Sequence, residues 1–102
     1  MSTSNRIAVF IKILPPFTRD MKTNEKTYYL QEGSTLLDLL NILIKEGDIA
    51  SRETLLTEDN SLKNNVVIMI NGLIIHELSY KLKNSDRVVI MPLVYGGYLA
   101  NL

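Results

Sequence analysis

The sequence predicts an α+β domain in which a sheet of about five strands carries one main helix on one face. Short runs of β-branched and aromatic residues, each bounded by turn residues, recur along the chain as they do in strands. One apolar stretch instead repeats at helical spacing. The 102 residues, 46% of them hydrophobic, suffice for one core and leave no room for a second domain.

The first two strands form a hairpin. Residues 7–14 (IAVFIKIL) are β-branched and aromatic, and Pro15-Pro16 ends the run. After a polar loop, residues 27–31 (TYYLQ) form a second strand, antiparallel to the first. Tyr28 and Tyr29 alternate along it, so only one of them should point inward.

The main helix lies within residues 34–47 (STLLDLLNILIKEG). Ser34 or Thr35 can cap its first turn, and Thr35 with Asp38 three positions later resembles a capping box. Gly47 is a plausible end because glycine tolerates positive φ. The residues that recur on one face are Leu36, Leu37, Leu40, Leu43 and Ile44.

Three further strands follow a crossover, residues 48–65, whose hydrophobic pattern is weak. Residues 48–65 hold few apolar anchors and a candidate helical turn near SRETLL. Asn71-Gly72 separates the apolar runs VVIMI and LII, and this pair suits a type I′ turn because both central residues need positive φ. A turn at residues 83–86 then leads into a last strand from Arg87 to Val94.

Composition excludes several classes of function. Eleven Lys and Arg balance eleven Asp and Glu, so no long-range positive field attracts nucleic acid or an anionic membrane. The longest apolar run, residues 88–95, is too short to span a bilayer. We therefore expect a soluble, cytoplasmic protein without nucleic-acid or membrane partners. The absence of Cys excludes disulfides and zinc-thiolate sites.

The polar residues indicate no catalytic or metal site. His76 is the single histidine and is expected at the surface or a sheet edge. Asp38, Glu46 and Asp48 suggest a solvated helix surface, not an acid/base pair. Residues 32–35 (EGST) lack the glycines and the Lys of a phosphate loop and are interpreted as a cap. These residues therefore predict no catalytic group and no bound metal or cofactor.

One face of the predicted sheet has no cover, because a single helix shields only one side. Yet residues 8–11, 66–70 and 88–91 are apolar at both alternations, as in strands that are buried on both sides. We therefore expect a partner or a second copy, as in a homodimer, on that face. The alternative is a small, tight sheet whose apolar outer surface is tolerated in water.

Residues 71–97 (NGLIIHELSYKLKNSDRVVIMPLVYGG) combine an Asn-Gly hairpin with a strand that ends in two glycines. This stretch resembles the ubiquitin-like β-grasp sulfur carriers of the MoaD/ThiS family, above all the small subunit of molybdopterin synthase. The predicted order of elements also matches the β-grasp, so the resemblance implies that the sheet of about five strands is mixed. The positions in register are Asn71, Gly72, Leu82, Asp86, Val88, Ile90, Pro92, Val94, Gly96 and Gly97.

The resemblance implies a carrier protein. In this family the carboxylate of the last glycine is adenylated by an enzyme related to the ubiquitin-activating enzymes. It then becomes a thiocarboxylate that delivers sulfur, here for molybdopterin synthesis. Gly97 would bear the acyl group, and Gly96 would give a slender approach because it has no Cβ. The implied partners are the activating enzyme and the large subunit of molybdopterin synthase.

The residues before the glycines are candidates for partner recognition. Apolar or aromatic groups beside a chain terminus can anchor it in a partner's pocket. Arg87 can pair with an acidic group of a partner or form an ordinary surface salt bridge. Strand alternation should turn about half of these residues toward the core. The candidates are Arg87, Met91, Leu93, Val94 and Tyr95.

The chain departs from the family pattern after Gly97, where residues 98–102 (YLANL) follow. A carboxylate on Gly97 requires a protease to remove them, which divides the chain into a β-grasp domain (1–97) and a short extension (98–102). Two alternatives stay open. One is a ubiquitin-like modifier joined to target proteins through Gly97. The other is an interaction module that keeps its tail, since two glycines also suit a simple exit from a strand.

Overall fold

The structure is a computed structural model that describes residues 5–18 and 25–93. Within this part of the chain, five strands and two helices follow the order strand, strand, helix, helix, strand, strand, strand. The order confirms the prediction, including the helical turn expected near SRETLL. The elements are β1 (Arg6–Ile13), β2 (Glu25–Gln31), α1 (Leu36–Lys45), α2 (Arg52–Leu55), β3 (Val66–Ile70), β4 (Leu73–Ile74) and β5 (Arg87–Pro92).

The strands form one mixed sheet in the spatial order β2-β1-β5-β3-β4. β5 occupies the centre, parallel to β1 and antiparallel to β3. In the parallel pair, Phe10 lies opposite Arg87 and Ile13 opposite Ile90. The last strand is therefore inserted between the first and the third, and the predicted α+β class with a mixed sheet is confirmed.

Alternate side chains of the strands form a single core with α1. Successive strand residues point to opposite faces, and the buried residues of β1, β3 and β5 lie on the same face of the sheet. Full burial of such a side chain contributes about 1.5–3 kcal/mol. The buried strand residues are Ile7, Val9, Ile11, Ile13, Leu30, Val66, Ile68, Ile70, Val88 and Ile90.

The ends of α1 agree with the prediction. The Thr35 hydroxyl accepts a hydrogen bond from the backbone N–H of Asp38 at 3.2 Å, and the Asp38 carboxylate accepts one from the Thr35 N–H at 2.9 Å. This capping box satisfies two N–H groups that have no partner within the helix. Gly47 follows the C-cap residue with φ +87, the conformation that favours glycine.

The buried face of α1 is wider than predicted. Leu39, which the periodicity left off the apolar face, is fully buried, whereas Leu37 and Ile44 are only partly buried. The crossover, residues 48–65, adds Ile49, Leu55 and Leu56 to the same core. The helix therefore shares its core with the crossover as well as with the sheet.

The turn between β3 and β4 has the predicted conformation. Asn71 and Gly72 have φ values of 54 and +85, both positive as a type I′ turn requires. β4 contains only two residues, one fewer than expected, although the Ile75 N–H still donates to the Ile68 carbonyl at 2.9 Å.

Asp86 is a buried charged residue with an exposed fraction of 3%. Its carboxylate accepts hydrogen bonds from the Asn71 side-chain amide and the Lys83 backbone N–H, each at 2.8 Å. The Asn71 side-chain oxygen accepts the Arg87 backbone N–H at 2.9 Å. These bonds join the β3–β4 turn to the start of β5 and help to set the register of that strand.

Asp48 corrects one prediction, because it is not part of a solvated helix surface. Its side chain is only 16% exposed, its carboxylate pairs with Lys26 Nζ at 2.7 Å, and it accepts a hydrogen bond from the Tyr28 hydroxyl. The crossover is therefore held against β2.

Tyr28 is partly buried and Tyr29 exposed, as their alternation predicts. Burial, and next the Asp48 carboxylate, raise the pKa of Tyr28.

Replacing Asp86 with Ala should lower the free energy of unfolding by about 2 kcal/mol or more, because Asn71 and Lys83 lose a buried acceptor. Urea unfolding followed by circular dichroism measures this change. Glu77→Ala, which removes an exposed carboxylate, is the matched control and should change stability by about 0.5 kcal/mol or less. An equally small effect of Asp86→Ala would contradict the role of this network.

The raised pKa of Tyr28 predicts a loss of stability in alkali. Below the ordinary tyrosine pKa of 10.0, the phenol is protonated in both states and its contribution is complete. Above that pH the unfolded chain releases the proton first, so the contribution falls as the pH rises toward the folded pKa. The stability difference between wild type and Tyr28→Phe should therefore shrink above a pH of about 10, as urea unfolding at several pH values can measure. Tyr29→Phe on the same strand is the control for other alkaline effects, and a constant difference for Tyr28→Phe would refute the prediction.

Candidate functional site

The sheet face opposite α1 carries no covering element among residues 5–18 and 25–93. Successive side chains of a strand point to opposite faces, so the side chains that do not join the core project onto this face. The register aligns them in rows, such as Lys12, Val89, Met69 and Ile74 across four strands. We call this surface the open face. Its strand residues are Arg6, Ala8, Phe10, Lys12, Glu25, Thr27, Tyr29, Gln31, Val67, Met69, Ile74, Arg87, Val89 and Met91.

Apolar side chains dominate the open face. Phe10 is 38% exposed, Ile74 55% and Tyr29 64%, while Val67, Met69, Val89 and Met91 are partly buried by their neighbours. A continuous apolar surface of this kind is typical of a protein interaction site. It also explains why the central strands are apolar at both alternations.

The predicted partner-binding residues that the structure describes all belong to this surface. Arg87 and Met91 point to the same side of β5, because an even number of positions separates them. Leu93 follows the same alternation and has an exposed fraction of 39%. The Leu93 N–H donates to the Asn65 carbonyl at 2.9 Å, which extends the pairing with the segment before β3. These three residues lie on one side of the strand, and the expectation that about half of all five candidates point inward stays a prediction. Val94, Tyr95, Gly96 and Gly97 lie outside the described residues.

Charged side chains lie toward the β1–β2 side of the open face. The Arg87 guanidinium carbon is 5.5 Å from the centre of the Phe10 ring, a cation–π contact. Lys12 Nζ lies 3.8 Å from a Glu25 carboxylate oxygen. The open face therefore combines an apolar area near the end of β5 with a charged area near its beginning.

The remaining polar residues form no further site in the described part of the chain. His76 is exposed, as predicted. Residues 5–18 and 25–93 contain no group of three His, Asp or Glu side chains that could hold a metal ion. Over the same residues, no helix is long and apolar enough to cross a membrane.

A five-stranded mixed sheet with a central parallel β1–β5 pair and one main helix is the ubiquitin-like β-grasp. The chain belongs to the ThiS family, which it matches over residues 11–97. Members of this family are small carrier proteins, and the chain has the fold of a ubiquitin-like sulfur carrier. No curated protein sequence is significantly similar to the chain.

Three solved structures illustrate the likeness, which at these identities concerns the fold alone. SAMP1 from Haloferax volcanii is 18% identical with a TM-score of 0.71, over 88% of this chain and 99% of that one. A putative molybdopterin converting factor, subunit 1, from Pyrococcus furiosus is 24% identical with a TM-score of 0.65, over 86% and 99%. The complex of subunits 1 and 2 of molybdopterin-converting factor from Helicobacter pylori matches at 19% identity and a TM-score of 0.56, over 89% and 100%.

The sequence predicted an uncovered sheet face, but it did not identify which residues form that face. Phe10, Val67, Met69 and Val89 were assigned to no site because residues on both alternations of their strands are apolar. A signal was nevertheless present in Lys12 and Arg87. A charged residue favours the alternation that faces water, so each cation marks the outer positions of its strand.

Adjacent residues of β5 should respond differently to the same substitution. Met91→Glu places a charge on the open face and should cost about 1 kcal/mol or less. Ile90→Glu buries a charge in the core and should prevent folding, at a cost of about 4 kcal/mol or more. Thermal unfolding by circular dichroism separates the two outcomes. Similar unfolding temperatures for both variants would contradict the assignment of the faces.

Proposed function

We propose that this chain is a sulfur carrier that supplies sulfur for molybdopterin synthesis through the carboxylate of Gly97. In this proposal the functional domain is residues 1–97, and a protease removes residues 98–102. The chain contributes no catalytic residue, because activation and sulfur transfer take place on its partners.

The observation that carries the proposal is the position of β5. This strand lies at the centre of the sheet, flanked by β1 and β3, and the two glycines follow its end by four and five residues. The family match ends at Gly97, so the extension begins where the carrier pattern stops. A firmly held strand beside an apolar docking surface suits a protein that must present its terminal segment to enzymes.

The proposed chemistry accounts for the diglycine. The Gly97 carboxylate attacks the α-phosphate of ATP and displaces pyrophosphate, which leaves an acyl adenylate. A persulfide sulfur on a partner then attacks the acyl carbon and displaces AMP, and a thiol reductant cleaves the resulting acyl disulfide to release the thiocarboxylate. Residues without Cβ can enter a narrow channel and bring the backbone carboxylate close to ATP. The reactive sulfur resides on the backbone terminus, so the chain needs no Cys for this role.

The open face is the proposed docking surface for both partners. The Helicobacter pylori structure contains subunit 1 of molybdopterin-converting factor together with subunit 2. By analogy, Met91, Leu93 and the apolar residues around them would bind the large synthase subunit and the activating enzyme in turn. One surface for both would make their binding mutually exclusive, as sequential loading and delivery require.

The proposal predicts that a chain ending at Gly97 supports ATP–pyrophosphate exchange by its activating enzyme. Gly97→Val in the same truncated chain should lower the exchange rate about 100-fold or more, because the side chain displaces the carboxylate. The chain that retains residues 98–102 is the control and should be inactive. A normal exchange rate with Gly97→Val would contradict the argument that a narrow channel requires residues without Cβ.

Docking on the open face can be tested with the same assay. Met91→Glu should raise the KM for the carrier about tenfold or more, because a charge must then be desolvated against an apolar partner surface. Glu77→Ala, which removes an exposed charge outside the strands, is the control. An unchanged KM for Met91→Glu would place the docking surface elsewhere.

A ubiquitin-like modifier is the second candidate function. It is favoured by the likeness to SAMP1, which is described as small archaeal modifier protein 1. In this role the matured Gly97 would be joined to lysines of target proteins. Conjugates of higher mass in cell extracts, lost on deletion of Gly97, would support the modifier over sulfur delivery.

An interaction module that keeps residues 98–102 is the third candidate. Intact mass of the protein from its own cells separates it from the carrier. A species that ends at Gly97 and is heavier by about 16 Da, the exchange of oxygen for sulfur, supports the carrier. Exclusive retention of residues 98–102 would favour the module.

A further inference from the structure

The open face contains a groove of about 590 Å³ where β5 begins. The sheet register arranges its floor in two rows across three strands. One row is Thr27, Phe10 and Arg87, and the other is Glu25, Lys12 and Val89. Six residues along β5 separate Arg87 from Leu93, a distance of about 20 Å. The groove is therefore distinct from the area where the chain leaves β5 toward Gly97.

The Arg87 side chain in this groove is held in place but has no charged partner in the described structure. Its guanidinium lies over the Phe10 ring, which restricts its orientation. Among residues 5–18 and 25–93 it forms no ion pair. An arginine carries five N–H donors in a planar fork that matches a carboxylate. Within the described residues the Arg87 guanidinium therefore has no acidic partner, and its fork of donors can bind a carboxylate.

Lys12 supplies a second cation that a ligand can recruit. Its ammonium is 3.8 Å from Glu25, close to the limit of an ion pair, and the two side chains are 48% and 71% exposed. Such an exposed pair is weak, so a better-placed carboxylate can displace Glu25. Lys12 is also a diagonal neighbour of Arg87, since it lies two residues beyond Phe10 on β1.

The spacing of the two cations suits an extended peptide. Diagonal positions on adjacent strands lie about 7–8 Å apart. Carboxylates at alternate positions of an extended segment project to the same side with a separation of about 6.5–7 Å. We propose that this groove binds an extended acidic segment of a partner protein. One carboxylate of the segment pairs with Arg87 and the carboxylate two residues along pairs with Lys12, while the Phe10 ring and Val89 pack against the aliphatic parts of the segment.

This inference does not depend on the fate of Gly97. A carrier, a modifier and an interaction module would each gain a contact that selects partners by charge. A partner that holds the end of β5 through apolar contacts would be preferred when it also places an acidic segment in the groove.

The test is a titration of the isotope-labelled full chain, followed by two-dimensional NMR of its backbone amides. The probe is the peptide acetyl-Tyr-Gly-Asp-Ala-Asp-Gly-amide, and the control peptide carries Asn in place of each Asp. We expect the acidic peptide to shift the amides of residues 10–12 and 87–89 with a Kd of about 1 mM or below. The Asn peptide should bind at least about fivefold more weakly, because it lacks the charges.

Two variants should change binding in opposite directions. Arg87→Gln should weaken the acidic peptide about fivefold or more, whereas Glu25→Gln should tighten it about two- to threefold by freeing Lys12. Arg6→Gln, which removes an exposed arginine elsewhere on β1, is the matched control. Thermal unfolding of each variant verifies that the fold is intact.

Three outcomes would overturn the proposal. The first is the absence of shifts at the groove with 5 mM acidic peptide. The second is equal binding by wild type and Arg87→Gln. The third is tighter binding of inorganic phosphate or of a single-stranded oligonucleotide at the same amides, which would make the groove a general anion site and not a peptide site.

Discussion

The parallel pairing of β1 with β5 brings the first and last described strands of the chain together at the centre of the sheet. Parallel neighbours cannot be joined by a tight turn, so the chain between them must cross over. The connection between the two strands includes α1, which covers one face of the sheet, and among the described residues nothing covers the other face. The core, the open face and the central position of the terminal strand all follow from this one pairing.

Polar contacts help to fix the strand register and the position of the crossover, which the hydrophobic core alone does not determine. Apolar packing excludes a one-residue slip of β5, but a slip of two residues would keep the same face of the strand inward. The Asp86 network helps to fix the register, because Asn71 contacts both the Asp86 carboxylate and the Arg87 backbone. At the sheet edge, the Tyr28 and Lys26 contacts to Asp48 hold the start of the crossover against β2.

The features that could be predicted from the sequence are those with local causes. The Thr35–Asp38 capping box and the positive φ of Asn71 and Gly72 follow from the chemistry of a few adjacent residues. The order of elements follows from hydrophobic periodicity. The family resemblance, carried by residues 71–97, then pointed to the mixed sheet that these elements form.

The features that escaped prediction depend on contacts between distant segments. Tyr28 and Asp48 are 20 residues apart, and neither shows locally that it has a partner. The face of β1 that meets α1 was equally hidden, because Ala8 and Phe10 are as apolar in pattern as Val9 and Ile11. Apolar residues on both faces of a strand indicate that the strand is central, but they do not indicate which face meets the helix.

The central position of β5 also has a mechanical consequence. A partner that pulls on the segment after Leu93 applies its force along β5, which is hydrogen-bonded to β1 on one side and β3 on the other. Such a load shears many hydrogen bonds at once, whereas a force on the two-residue edge strand β4 would peel its few bonds one by one. Pulling from the C-terminal side therefore meets the most resistant part of the sheet, and the domain can be held by its terminal segment without being unravelled.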